Sequence, residues 1–494
     1  MSLLLLIVYG CCSILLVIYG LNVYLMIALF LRKWSSGDEE IRARDAAFAR
    51  ECVTHPERAP HVTTQLPLFN EYNVAERLIR AVAAMDYPAD KHSIQILDDS
   101  TDETREVVDA VAAELRARGV DIEVLRRPSR VGYKAGALQY GMKRSAGDLI
   151  AIFDADFVPP ADFLKRTVPH LLADERRALV QARWGHLNDG ESRLTRAQSM
   201  GVDGHFVIEQ TARCRNGLFM NFCGAAGLWR KRAIVDSGGW QHDTVTEDMD
   251  LSYRAQLRGW RLVYLPNLVV PAELPASYTA FKSQQYRWAK GSIQTARKHL
   301  RALWSAPLPL LTKFEGTVHL TYYGVHLLMA VLVLLLLPLM LTYRDSIGPF
   351  DNWLFLGMLL PAMLGPSLGY LVSQRAAYPD AWGSRTLRLP FLFVVGFGIC
   401  LSNSKAVLAG IFGSDTTFVR TPKAGEPGQA GRKKKVYTLG RNRLPYLELG
   451  LALYCLATLA ALLAIDRLAL TPFVTIYALG FLVVGGHSLI ESDR

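Results

Sequence analysis

Five carboxylates follow short apolar segments in the first third of the sequence. Asp154 and Asp156 come directly after one such segment, Asp98 and Asp99 come after another, and Glu71 follows a third. Carboxylate oxygens are the preferred ligands of Mg²⁺ and Mn²⁺, and these ions commonly bind substrate phosphates at the same time. An isolated Asp-x-Asp often only caps a turn. Here two acidic pairs end two apolar segments, which favours a site for a metal ion and a nucleotide.

A lysine flanked by glycines offers a further group for phosphate. Lys134 lies between Gly132 and Gly136 at a predicted helix start, with Arg130 nearby. Backbone N–H groups at a helix N-terminus and an adjacent lysine favour phosphate. Taken alone, this segment would be better explained as an ordinary turn with a solvated lysine.

Two more acids follow Thr246, immediately before a helix predicted over 249–257. Thr246 as the N-cap, with Glu247 and Asp248 in the first turn, would stabilise that helix without any catalytic role. Alternatively, one of the two acids is a general base that takes a proton from an acceptor hydroxyl. The spacing is compatible with both interpretations.

These residues need a scaffold that brings them together. We expect strands at 64–71 (running into a loop), 93–97, 122–125 and 149–153, and helices at 74–84 and 101–118. Alternating strands and helices predict an α/β domain with a mostly parallel sheet covered on both faces. Ligands of such sheets bind beyond the carboxyl ends of the strands, so the topology predicts that the acids converge.

Apolar segments toward both ends of the chain predict a protein embedded in a lipid bilayer. About 20 residues cross the hydrocarbon core, and we expect transmembrane helices at 3–31, 319–342, 353–372, 446–464 and 468–484. Arg32 and Lys33 follow the first apolar segment, whereas a signal peptide carries its positive charge before it. The first segment is therefore interpreted as a retained anchor with the following domain in the cytosol; a cleaved signal peptide is the alternative.

The apolar segment 389–412 contains Lys405 and lies between two basic loops, 374–388 and 413–443. The positive-inside rule places both loops in the cytosol, and a single crossing cannot join two loops on the same side. We therefore expect 389–412 to be re-entrant or to lie along the interface. A sixth span with a translocated basic loop is the alternative.

The composition excludes several classes of protein. Of the 494 residues 51% are apolar, and 55 Lys and Arg against 45 Asp and Glu give a net charge of +10. This balance excludes an acidic disordered protein and suits an anionic partner such as nucleotide phosphate or phospholipid. Seven cysteines without a C-x-x-C motif argue against a disulfide scaffold and a thiolate zinc site. A nucleic-acid partner is not expected, because the chain combines membrane segments with an acidic site.

Taken together, the motifs of residues 61–300 resemble those of membrane-embedded, inverting family-2 glycosyltransferases, which have a nucleotide-sugar-binding GT-A fold. This family includes cellulose, hyaluronan and curdlan synthases. The resemblance is strongest to the plant cellulose-synthase-like A and C proteins, which make β-1,4-mannan and glucan backbones. The motifs that carry it lie at 65–71, 97–102, 132–138, 151–157, 180–184, 222–224, 246–251 and 284–288.

The resemblance implies an α/β GT-A-type catalytic domain, with a mostly parallel sheet, combined with an α-helical transmembrane domain. The expected parts are an N-terminal transmembrane anchor (1–34), a cytosolic GT-A domain (44–300), interfacial and transmembrane helices (301–412), a basic gating-like loop (413–443) and C-terminal transmembrane helices (444–494).

The resemblance also implies a role for each motif residue. Asp248 would be the catalytic base, and Asp154 and Asp156 would hold Mg²⁺ or Mn²⁺, Asp156 most directly. Contacts with the nucleotide sugar are expected from Glu71, Asp99, Lys134, Asp154, Arg287, Thr421 and Lys423. Contacts with the acceptor are expected from Phe222, Cys223, Gly224, Gln284 and Trp288.

The basic loop carries one further motif. Phe418, Thr421 and Lys423 resemble the gating loop of processive synthases, which is usually Phe-x-Val-Thr-x-Lys and closes on the bound donor. Arg420 stands in place of the valine, so this loop departs from the family pattern. Anchoring of aromatic and basic side chains at the bilayer surface would explain both this segment and 284–288 without a catalytic role.

We therefore expect a synthase that adds a hexose from UDP-glucose or GDP-mannose to a growing β-linked glucan or mannan and that could translocate the product. One in-line displacement would convert an α-linked donor into a β-linked product. A lipid glycosyltransferase that adds one sugar to a membrane lipid is the alternative, and a catalytically silent nucleotide-binding scaffold is a third. The expected location is a bacterial cytoplasmic membrane, or the Golgi membrane of a eukaryote. The sequence leaves the oligomeric state open.

Overall fold

Seven strands of the described residues form one sheet. The computed structural model describes residues 2–342, 349–417 and 443–492, together with 420, 421, 423, 425, 435 and 437. The strands are β1 (Val62–Leu68), β2 (His92–Asp98), β3 (Ile122–Leu125), β4 (Leu149–Ile152), β5 (Arg177–His186), β6 (Gly227–Arg230) and β7 (Arg261–Ala272). Their order is β3-β2-β1-β4-β6-β5-β7. Only β6 runs antiparallel to its neighbours in this sheet, so the prediction of a mostly parallel sheet is confirmed.

The helices of the described residues surround this sheet and extend from it. They are α1 (Ser2–Lys33), α2 (Asp38–Thr54), α3 (Ala75–Ala83), α4 (Thr104–Ala117), α5 (Tyr133–Met142), α6 (Phe163–Leu172), α7 (Arg193–Asp203), α8 (Thr211–Arg215), α9 (Lys231–Asp236), α10 (Glu247–Leu257), α11 (Tyr278–Ser305), α12 (Leu310–Thr321), α13 (Gly324–Thr342), α14 (Pro349–Ala377), α15 (Trp382–Thr386), α16 (Leu389–Gly398), α17 (Cys400–Phe412), α18 (Leu444–Ala464) and α19 (Thr471–Ser492). A π-helix, Gly204–Gln210, joins α7 to α8. The helices predicted at 74–84, 101–118 and 249–257 correspond to α3, α4 and α10.

Both faces of the sheet are covered. On β4, Ala151 and the adjoining Phe153 join an apolar cluster with α3, α4 and α6, whereas Ile150 and Ile152 join a second cluster with α5, α9 and α10. All four residues of β4 are buried. A strand buried on both faces is apolar throughout, which explains the continuous apolar segment 149–153.

The register of the parallel strands brings their carboxyl ends to one edge. Val62–Gln65 of β1 lie opposite Leu149–Ile152 of β4, and Val62–Leu68 lie opposite His92–Asp98 of β2. The loops that follow these three strands therefore emerge side by side. Acids that are far apart in the sequence meet at this edge for that reason.

Four helices of the described residues are long and apolar enough to cross a membrane: Leu3–Lys33, Gly324–Thr342, Leu444–Ala464 and Leu468–Glu491. They correspond to four of the five predicted spans. The fifth, 353–372, lies within the continuous helix α14. The segment 389–412 forms α16 and α17, which meet at Ile399 with a bend of 46°. Such a bent pair is a broken span or a re-entrant loop, so its position at the interface stays a prediction.

The long helix α11 connects the C-terminal apolar helices to the domain that contains the sheet. At its N-terminus, the Glu491 carboxylate of α19 accepts the backbone N–H groups of Tyr278 at 2.9 Å and Thr279 at 2.8 Å. One turn later, the buried Lys282 donates to the buried Glu448 of α18 at 2.8 Å. Either charge of this buried pair is costly without its partner. The pair therefore holds α11 against the membrane helices.

Two glycines set the distance between α16 and α19. A Cβ on Gly480 would lie 2.7 Å from the backbone N of Gly398 and from the carbonyl O of Val394, and a Cβ on Gly398 would lie 2.4 Å from the carbonyl O of Gly480. Real Cβ atoms do not approach the backbone so closely. The two helices can pack at this distance only with glycine at both positions, as in other membrane-helix contacts built on small residues.

We predict that Gly480→Ala separates α16 from α19 and lowers the unfolding midpoint of the purified protein in detergent. The packing loss should exceed the gain of about 1 kcal/mol that alanine brings to a helix interior. Gly486→Ala in the same helix is the matched control, because nothing lies within 4 Å of its Cβ position. The control should keep or raise the midpoint, and an equal loss in both variants would contradict the packing role of Gly480.

Candidate active site

A cavity lies at the sheet edge where the loops after β1, β2 and β4 emerge. Its wall also receives residues from the N-terminus of α10, from α11 and from the basic loop. All of the predicted site residues lie on this wall except Phe222. The structure thus brings together the acids that follow β1, β2 and β4, the glycine-flanked Lys134, and the acids in the first turn of α10.

Phe222 corrects the sequence prediction. Its side chain is fully buried and packs edge-on against Trp229, with ring centroids 5.8 Å apart. A Cβ on Gly227 would lie 2.6 Å from its ring. Because the ring fills the core behind the cavity, it supports the wall and does not face an acceptor. From this motif only Cys223 and Gly224 line the cavity.

On the cavity wall, two carboxylates are each held by an arginine. Glu71 accepts two hydrogen bonds from Arg420, at 2.7 and 2.9 Å. Burial raises the pKa of Glu71 to about 7, although Arg420 opposes this shift. Asp99 accepts a hydrogen bond from Arg127 Nε at 3.0 Å and a second one from Nη2 of the same guanidinium. Both acids, which are predicted to contact the nucleotide sugar, therefore already have a bidentate partner in the protein.

Lys134 lies on the cavity wall, close to several carboxylates. Its Nζ pairs with Asp154 and donates to the carbonyl O of Gly224 at 2.9 Å, and Glu247 Oε1 lies 3.9 Å away. Burial alone would lower the pKa of Lys134, but Asp154, Glu247 and Asp248 outweigh it and hold that pKa above its usual value. The lysine is therefore a fixed positive charge, and the interpretation as a solvated turn residue is wrong.

Asp248 lies in the first turn of α10. Its Oδ1 accepts the backbone N–H of Met249 at 2.8 Å, and a Cβ on Gly224 would lie 3.0 Å from its Oδ2. Burial and the neighbouring Glu247 raise the pKa of Asp248. A carboxylate with a raised pKa is a stronger base than an ordinary one. This environment suits proton removal from a hydroxyl.

Thr246 occupies the N-cap position of α10, but its hydroxyl does not cap the helix. The hydroxyl lies 3.2 Å from that of Thr295 on α11, and a Cβ on Gly291 would lie 2.4 Å from the Thr246 side chain. Next to it, the side chain of Gln294 accepts the backbone N–H of Val245 at 3.0 Å. The predicted side-chain cap is therefore wrong, and the motif is instead clamped against α11.

The helix α11 presents Gln284, Arg287 and Trp288 to the cavity, because positions i, i+3 and i+4 share one helix face. Arg287 Nη2 donates to the hydroxyl of Thr421 at 2.9 Å. The Trp288 ring lies 6.5 Å from that of Trp184. This face thus contacts the basic loop on one side and an aromatic group on the other.

Trp184 is a site residue to which the sequence analysis gave no role. Its ring stacks on Phe206 with centroids 5.1 Å apart and meets Phe157 edge-on at 5.1 Å, and it lines the cavity. The available signal was a tryptophan near the end of a buried apolar strand. Its direction depends on the register of β5, which the sequence does not reveal.

Asp154 and Asp156 are the residues that could hold a divalent ion, and both line the cavity. Among the described residues, no three His, Cys, Asp or Glu side chains are grouped so that they could enclose one. Two carboxylates fit an ion that takes its other ligands from phosphate and water, as Mg²⁺ does. Lys423 pairs with Asp156, so this lysine has to move before Asp156 can bind an ion.

The basic loop enters the cavity with Arg420, Thr421 and Lys423. Thr421 is 4% exposed, and Lys423 donates to the carbonyl O of Glu273 at 2.9 Å. Asn73 Nδ2 donates to the carbonyl O of Lys423 at 3.1 Å. These three residues line the cavity together with Glu71. Phe418 of the predicted gating motif lies outside the described residues.

Comparison with known proteins assigns the chain to a family. The family described as "Glycosyltransferase like family 2" matches residues 60–291. Glucomannan 4-beta-mannosyltransferase 9 of Arabidopsis thaliana is 34% identical, over 91% of this chain and 84% of the relative. The chain belongs to the family-2 glycosyltransferases.

Other similarities are of two kinds. Glucomannan 4-beta-mannosyltransferase 2 of Arabidopsis thaliana is 36% identical, over 80% of this chain and 74% of the relative. The solved structure of the mannosyltransferase PcManGT from Pyrobaculum calidifontis, in complex with GDP-Man and Mn²⁺, covers 78% of this chain and 99% of its own, with 19% identity and a TM-score of 0.49. The latter likeness is too low to bear on ligands.

Membership of this family confirms the predicted family, the α/β fold of GT-A type and the glycosyltransferase activity. The relatives favour a β-linked polysaccharide product over a single lipid-linked sugar. The scaffold alternative, in which the chain is catalytically silent, is not supported.

We predict that Gly224→Ala lowers the turnover of this family-2 glycosyltransferase by at least about tenfold, because a new Cβ displaces Asp248, and small displacements of catalytic groups are costly. Gly217→Ala is the matched control. Both glycines have a positive φ, 84° and 67°, so both variants should lose about 1–2 kcal/mol of stability.

The two variants differ only in what the new methyl group meets, because nothing lies within 4 Å of the Gly217 Cβ position. Turnover measured at saturating donor should therefore fall in Gly224→Ala alone. Equal turnover in the two variants would show that Gly224 does not border the reacting groups.

Proposed function

We propose that this chain transfers mannose from GDP-mannose to the non-reducing end of a growing β-1,4-linked mannan backbone. The relatives whose names specify mannosyl transfer support the choice of sugar. One observation carries the chemistry: the half-buried Asp248 lies beside Gly224, with its Oδ2 3.0 Å from the Cβ position of this glycine, and Lys134 Nζ lies 3.4 Å from the same position. A base and a cation are thus placed next to one residue that has no side chain.

In the proposed reaction, Asp248 takes the proton of the acceptor hydroxyl while the oxygen attacks the anomeric carbon. The diphosphate leaves on the opposite side of that carbon, so one displacement inverts the configuration. The raised pKa of Asp248 makes it a stronger proton acceptor than an ordinary carboxylate.

The leaving diphosphate gathers negative charge, and Lys134, Arg287 and Lys423 are placed to offset it. A divalent ion held by Asp154 and Asp156 would supply further charge stabilisation. Arg287 is already oriented by its hydrogen bond to Thr421, which couples the diphosphate side of the cavity to the basic loop.

The acceptor side of the cavity is proposed to be Cys223, Gly224, Gln284, Trp184 and Trp288. The C–H faces of a pyranose ring are apolar, and tryptophan faces suit them. The two indoles are 6.5 Å apart and inclined by 53°, so successive sugars could contact different rings.

The apolar helices support an integral membrane protein, with the basic loops and the catalytic domain on the cytosolic side. The plant source of the relatives suits the Golgi alternative and gives no support to a bacterial inner membrane. In either membrane the catalytic domain would draw on cytosolic nucleotide sugar.

Asp248→Asn should lower sugar transfer by about 10²–10⁴-fold, the usual contribution of a general base, and should leave the affinity for the free nucleotide measurable by titration. Asp243→Asn, at an exposed acid shortly before α10, is the control and should keep its activity. In the unsubstituted enzyme, activity should fall as the pH is lowered. The apparent pKa of this fall should lie above the value of about 4 that is usual for carboxyls. Full activity of Asp248→Asn, or an apparent pKa at the usual carboxyl value, would show that Asp248 is not the base.

Asp156→Asn should abolish the dependence of nucleotide binding on Mn²⁺. In the unsubstituted protein, GDP should bind more tightly with Mn²⁺ than with a chelator, whereas the variant should bind equally in both. Asp162→Asn changes an exposed acid that pairs with Arg166 and should behave like the unsubstituted protein. A retained Mn²⁺ effect in Asp156→Asn would refute the metal role.

The function itself is tested with labelled donors. Purified enzyme given GDP-mannose should make a precipitable polymer that an endo-β-1,4-mannanase digests, and UDP-glucose should give none. A polymer made from UDP-glucose and digested by a cellulase would overturn the donor assignment. A product that extracts into organic solvent with a single sugar would overturn the polymer assignment.

A further inference from the structure

A thiol, an imidazole and a carboxylate are aligned at the wall of the cavity. Cys223 Sγ lies 3.7 Å from Nε2 of His205, and Nδ1 of His205 lies 2.8 Å from Glu209 Oε2. About a third of each side chain of the His205–Glu209 pair is exposed, 32% and 33%, and Cys223 lines the cavity. In this order an imidazole held by a carboxylate activates a nucleophile.

Two side-chain amides also point N–H groups at the same sulfur. Gln210 Nε2 lies 3.2 Å and Asn221 Nδ2 lies 3.6 Å from Cys223 Sγ. The buried Gln210 is fixed in turn by its hydrogen bond to the carbonyl O of Asn221, at 2.9 Å. A carbonyl acceptor for the thiol proton, that of Asn221, is more distant at 3.8 Å. Two amide donors thus converge on the sulfur, which is the reactive atom of this side chain.

The π-helix Gly204–Gln210 supplies three of these groups, because His205, Glu209 and Gln210 all lie on it. Single π-helical turns are rare in proteins, but those that occur often lie at functional sites. Burial alone would lower the pKa of His205, but hydrogen bonds with Cys223 and Glu209 raise it to about 10. The imidazole is therefore positively charged near neutrality and faces the sulfur as a cation.

The other cysteines have different surroundings. Cys214 Sγ accepts the backbone N–H of Tyr264 at 3.2 Å and lies 3.9 Å from the carbonyl O of Leu262, and burial raises the pKa of its thiol. Burial also raises the pKa of the Cys52 thiol. The remaining four lie on apolar helices: Cys11, Cys12, Cys400 and Cys455. Among the described contacts, the imidazole partner is particular to Cys223.

We propose that Cys223 is an activated thiol and a covalent modification site for soft electrophiles and small disulfides. With iodoacetamide, a carbon–sulfur bond forms and iodide leaves. With a small disulfide, the thiolate attacks one sulfur, a mixed disulfide forms, the other sulfur leaves as a thiolate, and added thiol reverses the reaction. The adduct lies beside Gly224 and fills the space next to Asp248, so it blocks sugar transfer; this consequence rests on the proposed function.

The first test needs no variant. The full-length enzyme in detergent is treated with a limiting amount of iodoacetamide, and carbamidomethylation of each cysteine is followed by peptide mass spectrometry. Cys223 should be labelled at least about tenfold faster than Cys214, since the thiolate is the reacting form. Equal rates at the two cysteines, or faster labelling of Cys214, would overturn the proposal.

The second test asks whether the neighbours cause the reactivity. His205→Gln and Glu209→Gln should each slow the labelling of Cys223 several-fold and leave the rate at Cys214 unchanged. The labelling rate of Cys214 also reports unfolding, because its sulfur accepts a hydrogen bond from the backbone of Tyr264 in the same domain and would lose it on unfolding. An unchanged rate at Cys223 in His205→Gln, with Cys214 still protected, would overturn the role of the imidazole.

The third test separates this proposal from the proposed function. Treatment with a small disulfide should abolish polymer synthesis and a reductant should restore it, whereas the activity that Cys223→Ser retains should not respond to the disulfide. Complete labelling of Cys223 with full synthesis would support the activated thiol and overturn its placement on the acceptor side. Inhibition of Cys223→Ser by the disulfide would assign the inhibition to another cysteine and overturn the block at Cys223.

Discussion

Negative charge at the carboxyl edge of the sheet is the constraint on which the rest of the structure depends. Parallel strands deliver several acids to one place, and a carboxylate removed from water must be paired or take up a proton. Each of four acids has its own cation: Asp99 with Arg127, Asp154 with Lys134, Glu71 with Arg420 and Asp156 with Lys423. Two cations come from the catalytic domain and two from the basic loop. Two of the four acids therefore have their cation only when the basic loop contacts the catalytic domain.

The membrane helices reach the site through α11. Its first turns are fixed by Glu491 and Glu448 of α19 and α18, its middle presents Arg287 and Trp288, and its later turns clamp Thr246 just before the proposed base. One helix thus contacts both the cation that is proposed to face the diphosphate and the motif that carries the proposed base. The packing of α11 against the apolar helices α18 and α19 therefore affects the geometry of the candidate site.

Much of this site could be predicted from the sequence, because its acids follow strands that hydrophobic patterning locates and parallel topology orients. The bounds of β3, Ile122–Leu125, match the prediction. Side-chain direction in loops and strands could not be predicted, which is why Phe222 was expected in the cavity and Trp184 was overlooked. Pairing over long separations was equally out of reach: Arg420 and Glu71 are 349 positions apart, and no local pattern relates them.

The basic loop, which supplies Arg420 and Lys423, affects how tightly the enzyme binds its donor. Arg420 pairs with Glu71 and Lys423 pairs with Asp156, and these carboxylates are proposed to contact the nucleotide sugar and its metal ion, so these two pairs have to separate when the donor and the ion bind. The apparent dissociation constant of the donor is then the intrinsic constant divided by the fraction of molecules in which these two pairs are separated. The free energy of separating the two ion pairs is thereby subtracted from the free energy of donor binding.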